Sequence, residues 1–225
     1  MSSGLVSPYK GIFFDLDGTL ADTAPDLVSA ANQLLTARNL PAMQYEVLRP
    51  RASAGARGLI KGAFGIDTDH PDFIPLRDEF FSNYEKALLV NSIIFDGIDH
   101  LLDQLDGAKL PWGIVTNKSE RFTNPLTELM GLRHRAASTV SGDTTPHSKP
   151  HPEPILHAAR LANIDPTKSV YVGDDIRDIV AGKAAGMKTI AAAYGYCGCE
   201  EPPEAWGADY LVNHPKELLK IIFPQ

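Results

Sequence analysis

Three short apolar runs in the sequence each end in polar residues able to do chemistry. Gly11-Ile12-Phe13-Phe14 runs into Asp15-Leu16-Asp17-Gly18-Thr19, Trp112-Gly113-Ile114-Val115 into Thr116-Asn117-Lys118, and Ser169-Val170-Tyr171-Val172 into Gly173-Asp174-Asp175. In the first, Leu16 turns back toward the interior, leaving Asp15 and Asp17 free to face a site, and Gly18 permits a tight turn. With Asp174 and Asp178 arriving from another strand, the carboxylates are dense enough to need a cation. An oxygen donor set without His or Cys favours a hard ion, Mg²⁺. Thr116 can donate its hydroxyl to a phosphoryl oxygen, and Lys149, in Ser148-Lys149-Pro150, can supply positive charge. Asp15 is then the expected nucleophile, since a carboxylate can form an acyl-phosphate. Asp17 is the expected acid for the leaving alcohol and base for the water that follows.

These residues share a site only if their strands are parallel neighbours, and the chain reads that way. The three runs, with Thr189–Ala193 and Tyr210–Val212, are apolar without alternation, as in strands covered on both faces. Helical patterns separate them: Ile98, Leu101, Leu102 and Leu105; Leu126, Leu129 and Met130; Ile155, Leu156 and Ala159. That alternation predicts a three-layer α/β core with a parallel sheet, whose ligands sit beyond the carboxyl ends of the strands. Between Asp22 and Ile94 no internal strand is evident. Leu27, Ala30, Ala31, Leu34 and Leu35 form a stripe after Pro25, and residues 56–64 and 76–89 read as further helices. The expected organisation is a core of residues 1–21 and 95–225 with a helical cap of residues 22–94.

The four motifs together resemble those of the haloacid dehalogenase-like hydrolase superfamily. Asp15-Leu16-Asp17-Gly18-Thr19-Leu20-Ala21-Asp22-Thr23 is similar to its first motif, Thr116-Asn117 to its second, Lys149 to its third, and Gly173-Asp174-Asp175-Ile176-Arg177-Asp178 to its fourth. The resemblance covers essentially the whole chain. It implies a Rossmann-like core, a helical cap after the first motif, and Mg²⁺ held by the side chains of Asp15 and Asp174 and the backbone carbonyl of Asp17. It implies that Thr116, Asn117 and Lys149 bind phosphate, with Asp178 and Asp175 behind the metal. Asp175 or Asp178 is also expected to cap the helix running toward Gly186. Within that superfamily the chain resembles the phosphoglycolate phosphatases. Ser53–Arg57, Lys61–Gly65, Trp112–Lys118 and Trp206–Asp209 look still more like bacterial N-acetylmuramic acid 6-phosphate phosphatases.

The expected reaction is therefore hydrolysis of a small phosphomonoester, either 2-phosphoglycolate or N-acetylmuramic acid 6-phosphate. Arg51, Arg57 and Lys61 in the cap are the candidates for specificity, since both substrates carry a carboxylate. A sugar-phosphate mutase of the β-phosphoglucomutase type shares both aspartates and is the enzymatic alternative. An inactive binding protein on the same fold is the non-enzymatic one. A dehalogenase or a phosphonatase has no use for Asp17. The net charge of −7 argues against nucleic-acid or anionic-membrane partners. No apolar stretch is long enough to span a membrane, and Met1–Lys10 lacks a secretory pattern, so a cytoplasmic monomer or homodimer is expected. Cys197 and Cys199 are expected to be reduced loop residues. His147, His151 and His214 are expected at the surface, and Phe80, Phe81 and Tyr84 in the cap interior.

Overall fold

The computed structural model describes residues 6–224; Met1–Leu5, the start of the segment read for targeting, and Gln225 lie outside them. Six parallel strands form the central sheet: β1 (Gly11–Phe14), β4 (Trp112–Val115), β5 (Ser138–Val140), β6 (Ser169–Gly173), β7 (Lys188–Ala192) and β8 (Tyr210–Val212). Their order is β5-β4-β1-β6-β7-β8. The first strand in the chain thus lies between the two others that end in chemistry, with Phe14 level with Ile114 and Val172. That register carries Asp15, Thr116 and Gly173-Asp174 to the same rim.

Successive residues of a strand face opposite sides, and both sides are covered. Ile12, Phe14, Trp112, Ile114, Val170 and Val172 pack on one face with α5 (Ile98–Gly107), α6 (Glu120–Leu129) and α9 (Leu218–Ile222). Phe13, Val115 and Tyr171 pack on the other with α7 (Glu153–Leu161) and α8 (Ile176–Ala184). Burying each such large side chain contributes about 1.5–3 kcal/mol.

Four helices lie between the first and second sheet crossings of the chain: α1 (Ala24–Thr36), α2 (Tyr45–Leu48), α3 (Gly55–Phe64) and α4 (Phe73–Lys86). Leu27, Ala30, Ala31, Leu34 and Leu35 all lie on the buried face of α1. Where this insert leaves and rejoins the core, the chain forms an antiparallel ribbon. In it β2 (Ala21–Asp22) pairs with β3 (Ile93–Ile94), and the Phe95 N–H donates to the Leu20 carbonyl at 3.1 Å.

The ribbon and β5 depart from the sequence reading, because strands of two or three residues carry no detectable period. Helix α4 begins three residues before the expected Leu76, since Pro75 sits in its first turn and is tolerated there. It ends before Leu88 and Leu89. In α6 the buried face is Phe122, Thr123, Leu126 and Thr127, and Leu129 is exposed. No helix among the described residues is long and apolar enough to cross a membrane.

Candidate active site

At the carboxyl rim the chain turns sharply after β1. Gly18 has φ +85°, and a β-carbon there would collide with the Asp174 carboxylate. Gly195, in the loop after β7, is equally confined, between Asp174 and the Gly18 carbonyl. Only bare backbone lets the three segments close around Asp174, which is 1% exposed. Its oxygens accept from the Thr19 hydroxyl at 3.0 Å and the Tyr196 N–H at 2.8 Å.

Asp15, Asp174 and Asp178 each direct an oxygen into a space where the three atoms lie within 4.8 Å of one another. Burial, reinforced by the charge of Asp15, raises Asp174 well above the ordinary carboxylate range. Burial likewise pushes Asp178 up to about 7, against the pull of Lys149. Asp15 Oδ1 is buried and accepts no hydrogen bond, although Lys149 Nζ stands 3.0 Å away. An all-oxygen set with a spare acceptor and strained charge fits a hard divalent cation.

Lys149 is buried between Asp15 and Asp178, at 3.0 and 2.7 Å. Burial alone disfavours its charge, but the two carboxylates outweigh that and hold it well above its usual value. Its ammonium also donates to the Val115 carbonyl at 2.8 Å and the Tyr171 hydroxyl at 2.9 Å. The Asn117 side chain clamps its backbone, donating to the Lys149 carbonyl and accepting from the Lys149 N–H, both at 2.9 Å. The amide expected to touch phosphate is thus spent on positioning Lys149. Thr116 is buried on the same wall, its hydroxyl accepting from the Lys118 N–H at 3.2 Å; Ser119 occupies the N-cap of α6. Asp175 caps α8 in a reciprocal capping box with Asp178.

Asp17 Oδ1 accepts from Lys118 Nζ at 2.9 Å and the Thr23 hydroxyl at 2.5 Å. Asp15, Asp17, Thr116, Asn117, Lys149, Asp175 and Asp178 all line one cavity of about 390 Å³. Its opposite wall comes from the insert, through Ser53–Ala56, Phe80, Phe81 and Tyr84. Two of these aromatics do double service, since Phe80 and Tyr84 are buried in the insert's interior as well, while Phe81 is half-buried.

The basic residues of the insert lie elsewhere. Arg57 Nε and Lys61 Nζ both pair with Asp67, at 2.9 and 2.8 Å, on the exposed side of α3. With Arg51 they border a second cleft of about 460 Å³ that runs past Arg177, Cys197 and Cys199. An arginine and a lysine spaced i, i+4 do share a face, but Asp67 draws that face outward. The two thiols are free, and His147, His151 and His214 are exposed.

Four functional contributors were not singled out in sequence. Lys118 and Arg177 stand inside the motifs, yet their partners are set by folding. Arg177 reaches Asp175 at 2.7 Å and donates to the Ser53 carbonyl of the insert at 2.7 Å. The Ser53 hydroxyl in turn donates to Asp175. Arg49 donates to the Gly195 carbonyl at 2.9 Å and lies 5.0 Å from the centre of the Tyr196 ring.

Comparison with known proteins agrees with this geometry. Residues 12–192 match the family model of the haloacid dehalogenase-like hydrolases. The chain is 42% identical to the N-acetylmuramic acid 6-phosphate phosphatase of Pseudomonas aeruginosa over 213 residues, 95% of this chain and 94% of that one. It is 41% identical to a phosphoglycolate phosphatase of Xanthomonas campestris over 209 residues, 93% of this chain and 94% of that one. A crystal structure of a predicted phosphoglycolate phosphatase from Haemophilus somnus superimposes with a TM-score of 0.84 at 26% identity, covering 96% of this chain and 99% of the other. With a matching family model, relatives named as phosphatases and a fold that superimposes closely on a solved structure, this chain belongs to the haloacid dehalogenase-like hydrolases, as a phosphoric monoester hydrolase.

Proposed function

We propose that this hydrolase cleaves a small phosphomonoester whose leaving group carries a carboxylate, through a phosphoryl group passed to Asp15. The observation that carries the reading is the meeting of Asp15, Asp17, Lys149 and Asp178 on one cavity, with an Asp174 oxygen within 4.8 Å of those of Asp15 and Asp178. Asp15 and Asp174 are the residues that would hold Mg²⁺, with the Asp17 carbonyl. When bound, the ion would neutralise charge on the phosphoryl oxygens and on the carboxylates around them.

An Asp15 carboxylate oxygen bonds to phosphorus as the bond from phosphorus to the ester oxygen breaks. Asp17 gives its proton to that oxygen, and the alcohol leaves. Asp17 then takes a proton from a water whose oxygen attacks the same phosphorus. Phosphate departs, and Asp15 and Asp17 return to their starting states. Lys149 and the Thr116 hydroxyl hold the phosphoryl oxygens. Asn117 serves by fixing Lys149. Residues 22–94 act as a cap that covers the leaving group and excludes water.

The leading substrate is N-acetylmuramic acid 6-phosphate, with 2-phosphoglycolate second. The similar proteins of those names support both. The cavity's volume and its wall of Phe80, Phe81 and Phe122 favour the sugar, whose acetyl and lactyl methyls can use an apolar surface. The test is a panel of phosphorylated metabolites with Mg²⁺, run on the parent protein and on Asp15→Asn. The variant should keep its fold by circular dichroism and lose turnover by on the order of a thousandfold or more. Full turnover by the variant rejects Asp15 as nucleophile. Isomerisation of a hexose phosphate without phosphate release makes the protein a mutase.

A further inference from the structure

Three cations line the catalytic cavity among the described residues: Lys149, Arg177 and Lys118. Lys149 is held between carboxylates at the phosphoryl end. Arg177 is taken by Asp175 and the Ser53 carbonyl. Lys118 is different. Its side chain is 8% exposed, and its ammonium donates to Asp17. An ammonium has three donors, so N–H groups beyond the one on Asp17 remain, one of them directed toward Tyr84. Asp17 serves the leaving oxygen under the function proposed above, so these donors face the leaving group rather than the phosphoryl group.

Beside Lys118 stands Tyr84, from the insert. The ammonium lies 4.7 Å from the centre of the Tyr84 ring. The Tyr84 residue is 1% exposed, and its hydroxyl, whose polar neighbour is the Lys118 ammonium, donates to no acceptor among the described residues. Burying such a hydroxyl without an acceptor is unfavourable, and burial pushes its phenol up to about 12, so it stays a donor. The surrounding wall of Phe80, Phe81 and Phe122 supplies no acceptor. A charged donor and a neutral donor, side by side in an apolar wall, match one carboxylate with two accepting oxygens. Of the insert's candidate cations, Arg57 and Lys61 are already paired with Asp67, and Arg51 borders the second cleft with them rather than this cavity.

We propose that Lys118 and Tyr84 form the subsite for the carboxylate of the substrate's leaving group. The inference rests on the phosphatase reading. Because Tyr84 belongs to the insert and Lys118 to the sheet rim, specificity is assembled from both sides of the cavity.

The experiment pairs each carboxylated ester with an analogue lacking the carboxylate. N-acetylmuramic acid 6-phosphate is set against N-acetylglucosamine 6-phosphate, and 2-phosphoglycolate against ethyl phosphate. Within the pair that the parent protein turns over, Tyr84→Phe should reduce the kcat/KM ratio by about ten- to a hundredfold, mainly through KM. Lys118→Met should reduce the same ratio further and lower kcat as well, since Lys118 also touches Asp17. Calorimetric titration with N-acetylmuramic acid and glycolate should show the same weakening without turnover. A ratio within twofold of the parent in both variants, or unchanged affinity for the acids, overturns the subsite. Failure of the parent protein to release phosphate from any ester defeats the phosphatase reading instead, and the titration still decides the subsite.

Discussion

Asp178 illustrates how a single residue is tuned by its setting. Burial raises its carboxyl to about 7, with Asp15 adding repulsion and Lys149 relieving part of it. An aspartate in the unfolded chain titrates near about 3.9. A raised folded value means that Asp178 favours folding below about pH 4. That contribution is lost progressively as pH rises toward 7. A divalent cation bound among these carboxylates would reverse the penalty, because it would favour their ionised forms. The rise in melting temperature on adding Mg²⁺ should therefore be small at pH 5 and larger at pH 8. Scanning calorimetry at both values, with and without the ion, checks this, and equal shifts would contradict it.

At the scale of elements, the insert is tied to the core by a ribbon too short to be stable alone. Asp26, in the first turn of α1, reinforces it. Its carboxylate accepts from the N–H groups of Val90, Asn91 and Ser92 at 2.9–3.1 Å and from the Ser92 hydroxyl at 2.6 Å. The segment entering β3 is thereby pinned to the helix leaving β2. Burial works to raise the Asp26 pKa, but the hydrogen bonds from Ser92, Val90 and Asn91 outweigh it and hold the carboxyl below its usual value. A depressed value stabilises above about pH 4 and is lost as pH falls through the folded-state value. Asp26→Asn should cost about 1.5–3 kcal/mol at pH 7, measured by urea unfolding. The gap between variant and parent should narrow at pH 3.

Across the whole molecule, insert and core meet along two seams. One is aromatic, with Phe81 and Tyr84 each 5.3 Å from Phe122 between ring centres. The other is polar, through Ser53 with Asp175 and Arg177, and through Arg49 with Gly195, Tyr196 and Asp22. The Tyr196 hydroxyl accepts from the Thr23 and Ala24 N–H groups at 2.7 and 2.9 Å, while its own N–H holds Asp174. Arg49 thus links the position of the insert to the loop that orients Asp174. Losing a charged hydrogen bond of about 1.5 kcal/mol and a cation–π contact of about 0.5 kcal/mol, Arg49→Met should lower kcat/KM roughly thirtyfold. Faster amide exchange at residues 20–24 and 93–97 should accompany it. Unchanged exchange there would mean that Arg49 does not hold the insert closed.

The sequence by itself determined five of the six parallel core strands, β5 excepted, and the order of their reactive ends along the chain. Four-residue runs such as Gly11–Phe14 are apolar on both faces, and that pattern survives any tertiary context. It also carried the carboxylates, Thr116 and Lys149, because the chemistry of those side chains is intrinsic to their type. Only the tertiary structure decided the partners. Asn117 turned from the cavity to Lys149, Arg57 and Lys61 turned outward to Asp67, and Lys118 met Asp17 and Tyr84 across 101 and 34 residues of chain. The physical reason is that a short polar contact depends on where two distant backbones are brought, and a local pattern reports only which face of its own element is buried.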